Sequence, residues 1–398
     1  MQSLIYNYKK LFIDKMWRSL FTVWSLRQFA FGLIAVYSPI FFYSLGKGMG
    51  FIFTFLAIQA FANGLMRLPY ALYLSKRRKV KQAFIVSIVL ASVIYALYAV
   101  FINNNSVLLG LAVADGILQA VLWSSYLYIF GAAQKHRDTG SQISVQYDGT
   151  YLSTIIAIAI GGFVAQYYGF IYNFFIATAA LAFAAIVLTK MPITWPHHSK
   201  QIKYKKFNFK NSWYLSLAGS ANAIDTSVVG VLWPLVFVVF GYLSYSHVGY
   251  VVALGLFIAL FVNLVFGKIS DDLDRAIYVL DGGIMATIFA YMLRVAYALS
   301  MPGAIVLSVV SQIFRGVVDV SYNVLFFRQL KKAKNKLHFI AEYESNSSYG
   351  LSLYFTLLGC LYLLGLSDRQ LLIAAFLIAA MIMPLTRLIA QDRLEELN

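Results

Sequence analysis

Apolar residues along the chain fall in repeated runs of about twenty, long enough to cross roughly 30 Å of hydrocarbon at about 1.5 Å rise per residue. Inside lipid every backbone N–H and C=O must find its partner within the chain, so each run is predicted to be a helix. The runs cover 20–45, 51–74, 82–102, 106–131, 144–166 and 170–190. A polar, basic stretch from Met191 to Asn211 interrupts the series. It resumes at 213–240, 247–266, 276–299, 303–327, 346–366 and 370–390. The pattern predicts an all-α membrane protein of about twelve transmembrane helices.

The second set repeats the first. Pro39 and Gly46 recur as Pro234 and Gly241, Ser125-Tyr126 as Ser321-Tyr322, and Gln146-Tyr147-Asp148 as Glu342-Tyr343-Glu344, all at an offset of about 195 residues. The chain therefore divides into an N-terminal six-helix bundle (1–190), a basic linker (191–212) and a C-terminal six-helix bundle (213–398). With an even helix count in each, the two pseudo-symmetric bundles share one orientation, related by an axis along the membrane normal.

Composition agrees with the pattern. Of the 398 residues 61% are hydrophobic and 12% charged, against roughly 25% charged in soluble domains; mean hydropathy is +0.73. The net charge of +16 would raise the question of nucleic acid in a soluble chain. Here its location decides otherwise. Basic clusters occupy the N-terminal segment and every second connection: Lys76 to Lys81, Lys135 to Arg137, Lys200 to Lys210, Lys268 to Arg275 and Lys331 to Lys336. The intervening connections hold almost none. The positive-inside rule puts both termini and these loops in the cytoplasm, with the chain in the cytoplasmic membrane. Contact of the excess charge with anionic lipid head groups is expected, and no nucleic acid. The sole cysteine, Cys360, lies in an apolar run, which excludes a disulfide framework and a cysteine metal site. No cofactor or metal is implied, and a monomer is expected. Residues Met1 to Arg18 lack the small-residue cleavage site of a secretory signal and read as mature protein.

Between the second and third helix of each half lies a loop of recognisable type. In the second half it reads Gly267-Lys-Ile-Ser-Asp271-Asp-Leu-Asp-Arg275; in the first, Ala71-Leu-Tyr-Leu-Ser75-Lys-Arg-Arg-Lys79 keeps the basic run without the glycine and the acid. Gly161-Gly162-Phe-Val-Ala-Gln-Tyr-Tyr-Gly169-Phe170 forms the fifth-to-sixth junction. With the six-plus-six pattern, these segments resemble the major facilitator superfamily over nearly the whole chain. Ala157-Ile158 stands where antiporters of that family usually show Gly-Pro, a departure that weakens exchange as the transport mode. The resemblance implies a secondary transporter that moves a small-molecule substrate by alternating access, with the first, fourth, seventh and tenth helices lining the path.

An ionisable side chain at membrane depth costs about 2.5 to 3.5 kcal/mol or more on insertion scales, so those present should face a cavity or a partner. Asp225 lies near the middle of the seventh span with Asn222 on the same face; in the fourth, Asp115, Gln119 and Trp123 follow one another at helical spacing. Arg315 and Asp319 do so in the tenth. These residues, with Tyr37, are the candidate substrate and proton path, with Asp225 or Asp115 as proton carrier and Arg315 as an attractor for an anionic group. Mutual neutralisation of Arg315 and Asp319 is the plainer reading. Arg27 and Arg67 are expected to snorkel to the inner interface, and Asp148, Glu342 and Glu344 could partner Arg67 or the basic loops. Arg67, Asp148, Asp271, Arg275, Glu342 and Glu344 are the candidate cytoplasmic gate, with Asp271 beside Arg275 pairing across the seam. Pro39 and Pro234 are expected to bend the first and seventh helices by removing a backbone hydrogen bond.

Two other classes compete. Asp271-Asp272-Leu-Asp274 could hold Mg²⁺ against a diphosphate in an intramembrane prenyltransferase, but the corresponding first-half loop is basic where a second acidic cluster is needed. A sensor or scaffold on a transporter fold accommodates the altered first-half loop. With no nucleotide-binding loop, direct ATP-driven pumping is unsupported and no enzyme is expected.

Overall fold

The computed structural model describes residues 15–77, 79–133, 139–192, 209–270, 272–297, 300–333 and 335–391. Among these, twelve helices and no strand occur. They are α1 (Lys15–Ser44), α2 (Gly48–Arg77), α3 (Val80–Val100), α4 (Asn105–Ala133), α5 (Thr139–Tyr167), α6 (Phe170–Thr189), α7 (Phe209–Ser227, Val228–Leu232 and Trp233–Val239), α8 (Tyr245–Ile269), α9 (Leu273–Tyr297), α10 (Met301–Lys332), α11 (Lys336–Leu363) and α12 (Asp368–Ala390). Helices outrun the apolar runs: α1 begins at Lys15 rather than 20, α10 continues to Lys332, and α11 starts at Lys336 rather than 346. Basic residues at these ends prolong a helix beyond the hydrocarbon, where apolarity has already stopped.

Among the described residues, eleven helices are long and apolar enough to cross a membrane. The exception is α11, whose segment from Glu342 to Ser348 holds acids, an amide and serines. Those groups face protein instead of lipid. Ser345 Oγ donates to the Gly64 carbonyl at 2.7 Å and Ser352 Oγ to the Ala57 carbonyl at 2.9 Å, both on α2; Asn346 Nδ2 donates to Ser216 Oγ of α7 at 2.7 Å. A helix so bonded can be polar at membrane depth.

The packing of the first six helices recurs in the last six. Contacts of α1 with α5 and α6, α2 with α4, and α3 with α4 and α6 are matched by α7 with α11 and α12, α8 with α10, and α9 with α10 and α12. The sets meet along two seams, α2 against α11 and α5 against α8. The second depends on missing side chains: a Cβ on Gly249 would sit 2.9 Å from the Ile158 carbonyl, and one on Gly162 would sit 2.8 Å from the Tyr245 carbonyl. Gly46 (φ 74°) and Gly241 (φ 69°) close α1 and α7 with the same left-handed turn, so the repeat seen in sequence is a repeat in backbone conformation.

The helices that carry Pro39 and Pro234 are both interrupted. A turn at Val36 splits α1 into Lys15–Ala35 and Tyr37–Ser44, and a π-helical turn over Val228–Leu232 precedes Trp233 and Pro234. In a regular helix the N–H at position 39 would bond the Ala35 carbonyl, and that at 234 the Gly230 carbonyl; proline has none to give.

Candidate functional site

Between the two sets of helices lies a cavity of about 430 Å³. Its wall draws on α1, α4 and α5 from the first set and α7, α8, α10 and α11 from the second. Ala35 and Gly230, each four residues before a proline, both line it. Aromatic rings form one side: Trp24 stacks on Tyr126 with centroids 3.5 Å apart, and Trp123 lies 5.1 Å from Trp24. Tyr322 and Tyr343 face them from the other set, sharing a hydroxyl hydrogen bond. Gln28, Thr150, Thr154, Asn222, Thr226, Ser227, Gln312 and Asn323 supply uncharged polar groups. At the end nearer the basic connections, Phe130 and Phe327 meet across the sets with centroids 5.9 Å apart. Near the opposite face, Phe170 and Tyr245 pack at 4.7 Å, Tyr245 N–H donates to Gln166 Oε1 at 3.2 Å, and Tyr43 donates to Asp368 Oδ2 at 3.0 Å.

The charged residues on this wall are Arg315, Asp319 and Glu344, and each is ion-paired. Arg315 Nε lies 3.2 Å from Asp319 Oδ2, which also accepts from the Tyr151 hydroxyl at 3.2 Å. Two further Arg315 nitrogens donate to the carbonyl and hydroxyl of Thr226, at 3.1 and 3.0 Å. The i,i+4 spacing lets Asp319 reach the guanidinium along the same helix. Glu344 is held from the other set, by Arg67 Nη2 at 3.3 Å and by Trp123 Nε1 at 3.0 Å.

The architecture, the cavity and a family comparison converge. The Major Facilitator Superfamily model matches residues 20–337. The chain belongs to this superfamily. No curated protein matches it. As a transporter of that superfamily, it brings together Trp123, Asn222, Arg315 and Asp319 of the expected path on one wall, with Glu344 added from the expected gate.

Asp115, Gln119, Asp225 and Tyr37 are not on that wall: the first three turn toward helices of their own set, and the Tyr37 hydroxyl lies at the α5–α8 seam beside Gly249. Asp115 accepts from Gln59 Nε2 at 2.6 Å and Gln119 Nε2 at 3.4 Å. Gln119 in turn accepts from Arg27 Nη2 at 2.6 Å, so an amide links Arg27 to Asp115. Arg27 does not snorkel: it is buried, with its guanidinium 4.6 Å from the Phe31 ring and 5.0 Å from that of Trp24. Asp225 accepts from the Tyr291 hydroxyl at 2.5 Å, and its Oδ2 is without a partner. Tyr37 donates to the Ile158 carbonyl at 2.6 Å, where it fixes the α1–α5 packing.

Of the expected gate, the structure joins Arg67 to Glu344 alone. Arg275 pairs with Asp272 of its own connection at 3.7 Å, both largely exposed, and does not reach the seam. Glu342 pairs with His338 one turn back at 3.6 Å. Asp271 lies outside the described residues, as does the side chain of Asp148 on α5.

Sequence reasoning missed Arg294. It is fully buried on α9, its guanidinium 4.3 Å from the Trp233 ring and 5.3 Å from the Tyr291 ring; it bonds Ser311, while Nε and Nη1 have no partner. The rule that singled out Asp225, an ionisable group within an apolar run, applies equally to Arg294.

Proposed function

We propose that the chain carries a small organic solute across the cytoplasmic membrane by alternating access, coupled to protons. Residues 1–190 and 213–398 act as two bundles tethered by the cytoplasmic linker 191–212, with both termini in the cytoplasm. The observation that carries this reading is the central cavity whose wall is shared by the two sets and tied across them by Glu344 with Arg67 and Trp123. Parting those contacts and the Phe130–Phe327 pair opens the cavity toward the basic face; parting the Tyr43, Phe170 and Tyr245 contacts opens it the other way. Protons enter because Asp225 keeps a carboxylate oxygen free of hydrogen-bond partners beside Tyr291, which gives a proton a place to reside.

Proteoliposomes holding the purified protein test this with labelled sugars, nucleosides, amino acids and organic acids, with and without an imposed pH gradient. Accumulation of at least one solute, abolished by a protonophore and lost in Asp225→Asn, is expected. Accumulation indifferent to the gradient removes the coupling; no accumulation or exchange of any solute removes the transport reading.

A further inference from the structure

The charge pattern of the wall assigns a class to the solute. We propose that the cavity takes an uncharged molecule, a hydroxylated ring with one flat apolar face, and discriminates against organic anions and cations. This rests on the reading of the cavity as the solute path.

An ion entering the cavity would need a free partner there. A charged group leaving water for the centre of a membrane protein requires an opposite charge that is not already committed, since an uncompensated buried charge is costly. The wall has none to offer. Arg315 is committed to Asp319 at 3.2 Å and to both oxygens of Thr226; Glu344 is committed to Arg67 at 3.3 Å and to Trp123. Admitting an anion at Arg315 places it against Asp319, and admitting a cation at Glu344 places it against Arg67. Each approach meets repulsion as well as attraction.

What remains available is uncharged. Gln28, Thr150, Thr154, Asn222, Gln312 and Asn323 line the wall. Thr150 and Thr154 donate their hydroxyl protons to the Gln146 and Thr150 carbonyls, Gln28 Oε1 accepts from Arg27, and Asn323 Nδ2 donates to the Asp319 carbonyl. That leaves the two hydroxyls as acceptors, the Gln28 amide as a donor, and the Asn222 and Gln312 amides able to do both. Ala35 and Gly230, whose carbonyls lose the i+4 N–H partner to Pro39 and Pro234, lie on the same wall. Carbonyl acceptors suit a solute that brings hydroxyl donors. The plates of Trp24, Trp123 and Tyr126 suit the apolar face of a ring, whose C–H edges or π-face they can cover. A pyranose and a ribonucleoside share this chemistry.

The test uses isosteric sets. Thermal stabilisation and equilibrium binding of the purified protein are measured with glucose against glucuronate and glucosamine, and with uridine against uridine monophosphate. At least one neutral member is expected to bind ten-fold or more tightly than its charged counterparts; which set responds distinguishes sugar from nucleoside. Asp319→Asn, which frees Arg315, is expected to raise affinity for the anionic member at least ten-fold, whereas Arg315→Gln with Asp319→Asn keeps the neutral preference. Equal or tighter binding of a charged member by the unaltered protein overturns the proposal, as does binding of no neutral member. If Asp319→Asn fails to fold, the unaltered protein still decides. Neutral binding without uptake into proteoliposomes leaves this inference standing and removes the transport reading. Uptake confined to ionic solutes does the reverse.

Discussion

The carboxylate of Glu344 lies 3.3 Å from the Arg67 guanidinium, and its other oxygen accepts the Trp123 indole N–H at 3.0 Å. One side chain of α11 thus holds α2 and α4 of the opposite set. Arg67 is 3% exposed, so it depends on that partner.

Removing one member of a buried pair leaves the other uncompensated, at a cost of about 3 to 5 kcal/mol. Glu344→Gln and Arg67→Met are each expected to lower thermal stability in detergent by an amount of that order. The double replacement should be less harmful than the sum of the two, and a cycle that closes with no coupling would contradict the pairing.

A second cycle concerns Asp225 and Arg294, joined through Tyr291. Asp225→Asn leaves Arg294 in excess and Arg294→Met leaves Asp225 in excess; the double variant restores balance. It should be more stable than additivity predicts by at least about 1 kcal/mol, measured by denaturation. Strict additivity would show that the two charges do not sense each other.

The α5–α8 seam makes a steric prediction. Gly249→Ala introduces a Cβ 2.9 Å from the Ile158 carbonyl and closer still to the Tyr37 hydroxyl, and is expected to cost about 1 to 3 kcal/mol. Gly110→Ala on α4 meets nothing within 4 Å and should be neutral or stabilising by up to about 1 kcal/mol, because alanine is the better helix former. Equal Tm shifts for the two would refute the close approach.

Replacing Pro234 by alanine restores an N–H that can re-engage the backbone of the π-turn. Tm is expected to hold or rise, while solute binding weakens several-fold as the Gly230 carbonyl is taken up again. Pro39→Ala should behave alike through Ala35. Binding unchanged in both would remove those carbonyls from the site.

Much of this was legible in the chain. Apolar run length marked every helix, and the shared offset of Pro39 with Pro234 and Gly46 with Gly241 foretold a duplicated backbone. The facing of side chains was not legible. Asp115 and Arg315 each sit mid-helix in repeat-related spans, yet one turns toward Gln59 and Gln119 of its own set and the other toward the cavity. Helical spacing orders residues on a face without saying which neighbour that face meets. The partner of Arg67 had the same ambiguity: three acids stood at suitable places, and the packing of α11 on α2 brings Glu344 to it.

The two seams resist motion differently. At Gly162 and Gly249 the helices approach through bare backbone, and the directional bond of this seam, Tyr245 N–H to Gln166 Oε1, sits at its end. Along α2 and α11 the ties are directional, Ser345 to Gly64, Ser352 to Ala57 and Glu344 to Arg67, and displacement of about an ångström forfeits them. On the proposed alternating-access reading, the α5–α8 flank serves as the bearing and the α2–α11 flank as the clasp. Substitutions in the clasp should retune how long each open form persists, whereas substitutions in the bearing should stall the motion itself.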